Sequence, residues 1–146
     1  MDIHNRVDLA REQFDVAIEL FLAKRSMASV ITLAGAADEI FGHFLLKTDR
    51  AGERMVEVRK PIVKWVRQKT GIGDPTKPFT LSEMNNVRNA LKHVRDLSGT
   101  LTPTVSADLY DEALTMLVRA HANLDMLNLP RSSQVSELEE WFEANL

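Results

Sequence analysis

The chain contains 146 residues, of which 45% are hydrophobic and 27% charged, and its net charge is −3. These values predict one globular domain with an adequate core, and they exclude the composition of a disordered protein. No apolar run reaches the roughly 18 residues that a membrane-spanning helix needs, and the charged N-terminus does not resemble a secretory signal. We therefore expect a cytoplasmic protein without membrane contact. Because the chain lacks cysteine, disulfides, thiolate metal sites and cysteine nucleophiles are excluded.

The charge is divided unevenly along the chain. The segment from Lys47 to Arg95 has 12 Lys and Arg against 5 Asp and Glu, a local charge of +7, whereas the remainder carries −10. Such a basic segment fits a surface for an anionic partner, and it also fits an ordinary solvated face. Composition leaves both interpretations open.

Apolar residues recur at spacings of three and four through most of the chain, which predicts amphipathic helices. The second of these has a wide apolar stripe that favours a central place in the core. Pro61 interrupts the third, residues 71–78 form a long loop, and Thr80 with Glu83 forms a capping box that begins the fourth. The predicted helices cover about residues 5–24, 26–45, 51–70, 80–97, 106–130 and 133–146.

Short connections between long amphipathic helices favour an all-α fold, an up-and-down antiparallel helical bundle of four main helices. We assign residues 1–130 to this bundle and residues 131–146 to a short acidic helix docked on its side. Gly35 lies inside the second predicted helix, where glycine costs about 1 kcal/mol relative to alanine. A neighbour, most simply another helix, is therefore expected to approach closely at Gly35.

Asp38 falls inside the apolar stripe of the second predicted helix, whereas Glu39 and His43 point away from it. A carboxylate in that position needs a cationic or backbone partner, so we expect Asp38 to be buried and paired. Its role can be purely structural or functional.

The fourth predicted helix carries a dense polar face. Its exposed arc holds Asn85, Asn89 and Lys92, with Arg88 at one border of the core stripe and His93 at the other side of the arc. Arginine binds phosphate with its planar fork and histidine transfers protons near neutral pH, which is what cleavage of a phosphodiester without metal requires. The two side chains diverge by about 140° on one helix at 100° per residue, so convergence needs long reach or a second copy. A plain solvated helix face fits the same pattern.

Other chemistries find little support in the sequence. The four histidines are scattered, and the nearest metal-like pairing is Glu39 with His43. Neither a His-Glu-x-x-His motif nor a phosphate-cradling glycine loop occurs. We therefore expect no metal and no cofactor.

The stretch Arg88-Asn89-Ala90-Leu91-Lys92-His93 resembles the signature of the HEPN superfamily (higher eukaryotes and prokaryotes nucleotide-binding), an arginine and a histidine separated by four to six residues with a polar residue directly after the arginine. The small-residue, acidic run over 33–42 is also similar to the second helix of such proteins. The resemblance implies a homodimer that joins two motifs in one cleft. It further implies a metal-independent endoribonuclease of a toxin, defence or RNA-processing type.

By this resemblance Arg88 and His93 would be catalytic and Asn89 would orient them, with Asp38 and Asn85 in support. The basic residues expected to hold the RNA backbone are Lys92, Arg59, Lys60, Lys64 and Arg67.

One position departs from the pattern of HEPN toxins that pair with a nucleotidyltransferase antitoxin. Such toxins often have a tyrosine two residues after the histidine, as the target of modification, whereas this chain has Arg95. An antitoxin stays a candidate partner, but the residue that adenylylation would modify is absent at this position. The alternative function is a non-catalytic helical module that binds a nucleotide or a partner protein.

Overall fold

A computed structural model describes residues 1–45, 85–93 and 98–146 of the chain. The secondary-structure elements in these ranges are all helices, which confirms the all-α prediction for the described residues. None of these helices has both the length and the apolar character needed to cross a membrane. The helices are α1 (Arg6–Leu22), α2 (Met27–Leu45), α3 (Asn86–Lys92), α4 (Leu109–Met126) and α5 (Ser133–Asn145).

Helix α2 lies at the centre of the described fold, as its sequence predicts, because it packs along both α1 and α4. The rings of Phe14 on α1 and Phe41 on α2 meet edge to face with their centroids 6.3 Å apart, an arrangement that aromatic quadrupoles favour. Phe44, near the end of α2, lies outside this core, since it is partly exposed. The main core cluster comprises Ala10, Phe14, Ala17, Ile18, Phe21, Val30, Ile31, Ala34, Ala37, Phe41, Ala113, Leu114, Met116, Leu117, Ala120, Leu124, Val135 and Leu138.

Side-chain caps define where three of the helices begin. The Asn5 side chain accepts hydrogen bonds from the first turn of α1, and Asp108 does the same for α4. The cap of α4 therefore stands two residues after Ser106, from which the predicted helix begins. Ser132 caps α5 and also donates a hydrogen bond to Asp15 on α1 at 2.6 Å. This bond fixes the start of α5 against α1, on which the helix packs.

The short helix α3 packs on α2 and carries the Arg-x4-His motif. It ends at Lys92, because His93 has an extended backbone with φ −121° and ψ 129°. The prediction of a continuous helix to residue 97 is therefore wrong at His93. No glycine or proline marks this end in the sequence, so apolar periodicity alone extended the prediction too far.

Several sequence predictions concern residues outside the described ranges. These are the helix over 51–70, the loop over 71–78 and the capping box at 80–83. The up-and-down order of the bundle and its division at residue 130 stay predictions.

Candidate functional site

Arg88 is the buried residue of α3, with only 8% of its side chain exposed. Its guanidinium donates a hydrogen bond to a carboxylate oxygen of Glu39 on α2, in an ion pair whose acidic side chain is 52% exposed. The expectation that Arg88 borders an exposed arc is therefore wrong. Helix α3 turns this side chain into the interface with α2, where the carboxylate offsets the cost of burying a charge.

Gly35 lies one helical turn before Glu39 and receives the aliphatic part of the same arginine. A Cβ atom built on Gly35 would lie 2.6 Å from Cδ and 2.7 Å from Nε of Arg88. The predicted close approach at Gly35 is thus confirmed, and the neighbour is the Arg88 side chain. Nε of Arg88 is fully buried there without a hydrogen-bond partner in the described part of the chain. Gly35 and Glu39 together form a cradle along which Arg88 lies.

The Glu39 carboxylate has a basic environment drawn from two helices. The hydrogen bond from Arg88 holds the pKa of Glu39 below its usual value, and the charges of Arg88, Lys92 and His43 add to this effect against partial burial. His43 is exposed one turn after Glu39 on α2, and Lys92 is exposed at the end of α3. Glu39 is therefore the acidic centre of a basic group of side chains.

Asp38 points into the core and pairs with α4. Its carboxylate accepts hydrogen bonds from Arg119 at 2.7 Å and from Asn123 at 2.8 Å, and 7% of its side chain is exposed. The predicted burial and pairing of Asp38 are confirmed. Burial raises the pKa of the Asp38 carboxyl, while Arg119, Arg88 and Asn123 favour its ionised form.

Arg119 extends this contact to the start of α3. Its second terminal nitrogen donates to the side-chain carbonyl of Asn85 at 2.9 Å. Asn85 is the residue before α3, and its side chain makes no cap to that helix. Arg119 on α4 thus connects the two predicted supporting residues, Asp38 and Asn85, by donating a hydrogen bond to each.

Three polar residues of the motif are open to solvent. Asn89 and Lys92 are exposed on α3, and His93 is exposed just beyond its end. The structure brings Arg88 to Glu39 and brings Asp38 near Asn85, but it shows no contact between Arg88 and His93. The other predicted RNA-binding residues, Arg59, Lys60, Lys64 and Arg67, lie outside the described ranges.

Three residues that build this site were not predicted from the sequence, namely Glu39, Arg119 and Asn123. The last two had a readable signal, because they follow Met116 at helical spacing and so place polar side chains inside the apolar stripe of α4. Glu39 gave no comparable signal, since it lies on the exposed side of α2 and acquires its role only when α3 packs there.

The side chains of this site suit the binding of anions and the transfer of protons. Arg88 and Lys92 supply positive charge, and His93 and His43 add two exposed imidazoles. Among the residues that the structure describes, no group of three or more His, Asp or Glu side chains could hold a metal ion.

Comparison with protein-family models, with curated proteins and with solved structures gave no match. The HEPN resemblance is therefore supported only by the motif at residues 88–93 and the small-residue run over 33–42.

Two glycines of α2 provide a matched test of the cradle. Gly42→Ala would place Cβ 3.7 Å from the Asn123 side chain, an ordinary contact, whereas Gly35→Ala would collide with Arg88. Helix propensity favours alanine by up to about 1 kcal/mol at both positions. We expect Gly42→Ala to stabilise the protein and Gly35→Ala to destabilise it, as measured by urea unfolding. Equal stabilisation by both substitutions would contradict the placement of Arg88 against Gly35.

A double-mutant cycle tests the buried pair of Asp38 with Arg119. Asp38→Leu leaves the arginine charge buried without its carboxylate, which should cost about 3–5 kcal/mol of unfolding free energy. The double variant with Arg119→Met should lose less than that, because neither charge is then buried. Asp2→Ala, at an exposed position, serves as the control and should change stability by less than about 0.5 kcal/mol. Additive losses in the double variant would show that the two groups are not coupled.

Proposed function

We propose that the protein is a HEPN-like, metal-independent endoribonuclease that acts in the cytoplasm as a homodimer. The observation that supports this most is the arrangement of α3. The Arg88 guanidinium is fixed on α2, while Asn89, Lys92 and His93 stay exposed at the same short helix. A fixed cation and an exposed imidazole are the two groups that phosphodiester cleavage requires.

The proposed reaction uses the RNA as its own nucleophile. The ribose 2′-oxygen attacks the adjacent phosphorus as its proton passes to a base, and the bond from phosphorus to the 5′-oxygen breaks. The leaving oxygen takes up a proton, so the products are a 2′,3′-cyclic phosphate and a 5′-hydroxyl end. His93 acts as general base or acid, and Arg88 stabilises the charge that develops on the phosphate oxygens.

A second copy of the chain would overcome the separation between the Arg88 guanidinium and the His93 imidazole. Arg88 is turned into the interface with α2, whereas His93 stands exposed beyond the end of α3. Two motifs facing each other across a dimer cleft would place the histidine of one copy near the arginine of its partner. In this proposal Asn89 orients the pair, and Lys92 binds the RNA backbone together with the basic segment of residues 51–70.

One observation favours a second candidate, a non-catalytic module that binds a nucleotide or a partner protein, such as an antitoxin. Arg88 already has a carboxylate partner within the chain, as expected of a residue that only holds two helices together. Asn89, Lys92 and His93 would then form a polar docking surface.

The catalytic proposal predicts that the protein, with EDTA present, cleaves single-stranded RNA and leaves 2′,3′-cyclic phosphate ends, while DNA survives. His93→Gln should reduce the cleavage rate by about 100-fold or more, because general acid-base catalysis contributes about that much. Arg88→Lys should have a similar effect, since lysine keeps the charge but loses the planar fork. Gel electrophoresis of labelled RNA with end-group analysis measures both.

His4→Gln and Arg25→Lys are the matched controls, because both residues are exposed in the described structure. Circular dichroism should show that each variant keeps its helical fold, which matters for Arg88 because it is buried. If both motif variants cleave as fast as the parent protein, the activity comes from other residues. If the parent binds RNA but cleaves no single-stranded RNA in a broad set, the non-catalytic module is the better proposal.

The proposal also predicts a dimer at micromolar concentration, since the motif needs a second copy to bring Arg88 and His93 together. Sedimentation velocity should give a particle of twice the 16.5 kDa chain mass. A monomer in the same concentration range that cleaves RNA would refute the shared cleft, although not the chemistry.

A further inference from the structure

The position of Glu39 over Arg88 determines how an anion could reach the arginine. The Arg88 side chain is 8% exposed and that of Glu39 is 52% exposed. The stem of Arg88 is closed off by α2 at Gly35, where even a Cβ atom would not fit. The more exposed Glu39 carboxylate thus occupies a terminal nitrogen of the buried Arg88 guanidinium, where an anion would bind.

The surroundings of this carboxylate suit an anion. Arg88 contacts it, and Lys92 on α3 and His43 on α2 are close enough for their charges to stabilise it. Lys92 and His43 are themselves exposed. A guanidinium with a neighbouring ammonium and imidazole is a combination that binds phosphate oxygens.

We propose that Glu39 occupies a phosphate-binding site of the chain, and that a phosphodiester of RNA displaces this carboxylate to bind Arg88, Lys92 and His43. The inference rests on the proposed function for the identity of the ligand as RNA. Glu39 then acts as an internal competitor that satisfies the buried guanidinium until a polyanion replaces it. His43 becomes a member of the binding site through its place one turn after Glu39.

Binding of an RNA that cannot be cleaved separates this inference from catalysis. The probe is a fluorescent 2′-O-methyl oligouridylate, which lacks the nucleophilic hydroxyl, and affinity is measured by fluorescence anisotropy. Glu39→Gln keeps the size of the side chain and an oxygen acceptor for Arg88, but it removes the competing charge. We expect this variant to bind the probe about ten-fold more tightly than the parent protein.

Glu12→Gln is the matched control, because it removes the same charge from an exposed position on α1. It should change the affinity by less than about two-fold, since an exposed charge away from the site acts only through screened, long-range fields. The gain in Glu39→Gln should disappear when Arg88→Gln is added. An equal gain in both glutamate variants, a gain that survives the loss of Arg88, or no gain at all would overturn the proposal.

A second measurement uses the parent protein and does not depend on the folding of any variant. Carbon-13 NMR of the Glu39 carboxyl should show its pKa rising toward the ordinary value of 4.5 when the probe is bound, because displacement removes the hydrogen bond from Arg88. An unchanged titration with the probe bound would contradict displacement. Failure of the endoribonuclease proposal would look different, since binding and displacement would persist while cleavable RNA stays intact.

Discussion

The buried pair of Asp38 with Arg119 is the interaction on which the arrangement of the other polar groups depends. Two charges in the core are tolerable only when their remaining hydrogen-bonding groups find partners. Asn123 completes the carboxylate and Asn85 accepts from the arginine, at 2.8 and 2.9 Å. Apolar contacts are non-directional, whereas these hydrogen bonds need their donors and acceptors at fixed distances and angles. The pair therefore constrains how α4 meets α2.

Two adjacent acidic residues of α2 extend this specification to α3. Asp38 and Glu39 point about 100° apart, as neighbours on an α-helix must. The first faces α4 and the second faces α3, where it binds Arg88. Two consecutive residues of α2 thus make different contacts, one in the core and one at the surface. Since Arg119 also reaches Asn85, the short helix is held at two points, at the residue before it and at Arg88, its third residue.

The sequence was informative where a single helix decides the outcome. Apolar periodicity placed α1, α2 and the start of α5 well, and it identified Asp38 as a buried carboxylate because its position within the stripe of α2 is a property of one helix. The small residue at Gly35 indicated a close neighbour for the same reason. It could not show which group approaches, since that depends on how two segments separated by about fifty residues pack together.

The candidate site was harder to predict because α3 has only seven residues. A helical wheel for the longer predicted helix places the His93 side chain on the exposed arc. The backbone at His93 is extended, so the helical wheel does not apply there. Arg88 fell at the border of the predicted core stripe, where periodicity cannot distinguish a buried from an exposed side chain. The partner that draws it inward, Glu39, is on a different helix and on its solvent side.

The shortness of α3 has a consequence for any ligand that binds there. An isolated helix of this length is not stable in water, so its position derives from the tertiary contacts that hold it. Arg88 is at once an anchor of α3, together with Val87 and Leu91 that pack against the core, and the residue best suited to bind phosphate. A ligand that engages Arg88 must therefore compete with the anchor, and its binding free energy is linked to the free energy that holds α3 on α2. The hydrogen bond from Arg119 to Asn85 would hold the start of α3 in place while a ligand displaces Glu39 from Arg88. The buried contacts of Asp38 with Arg119 thus support the motif through Asn85.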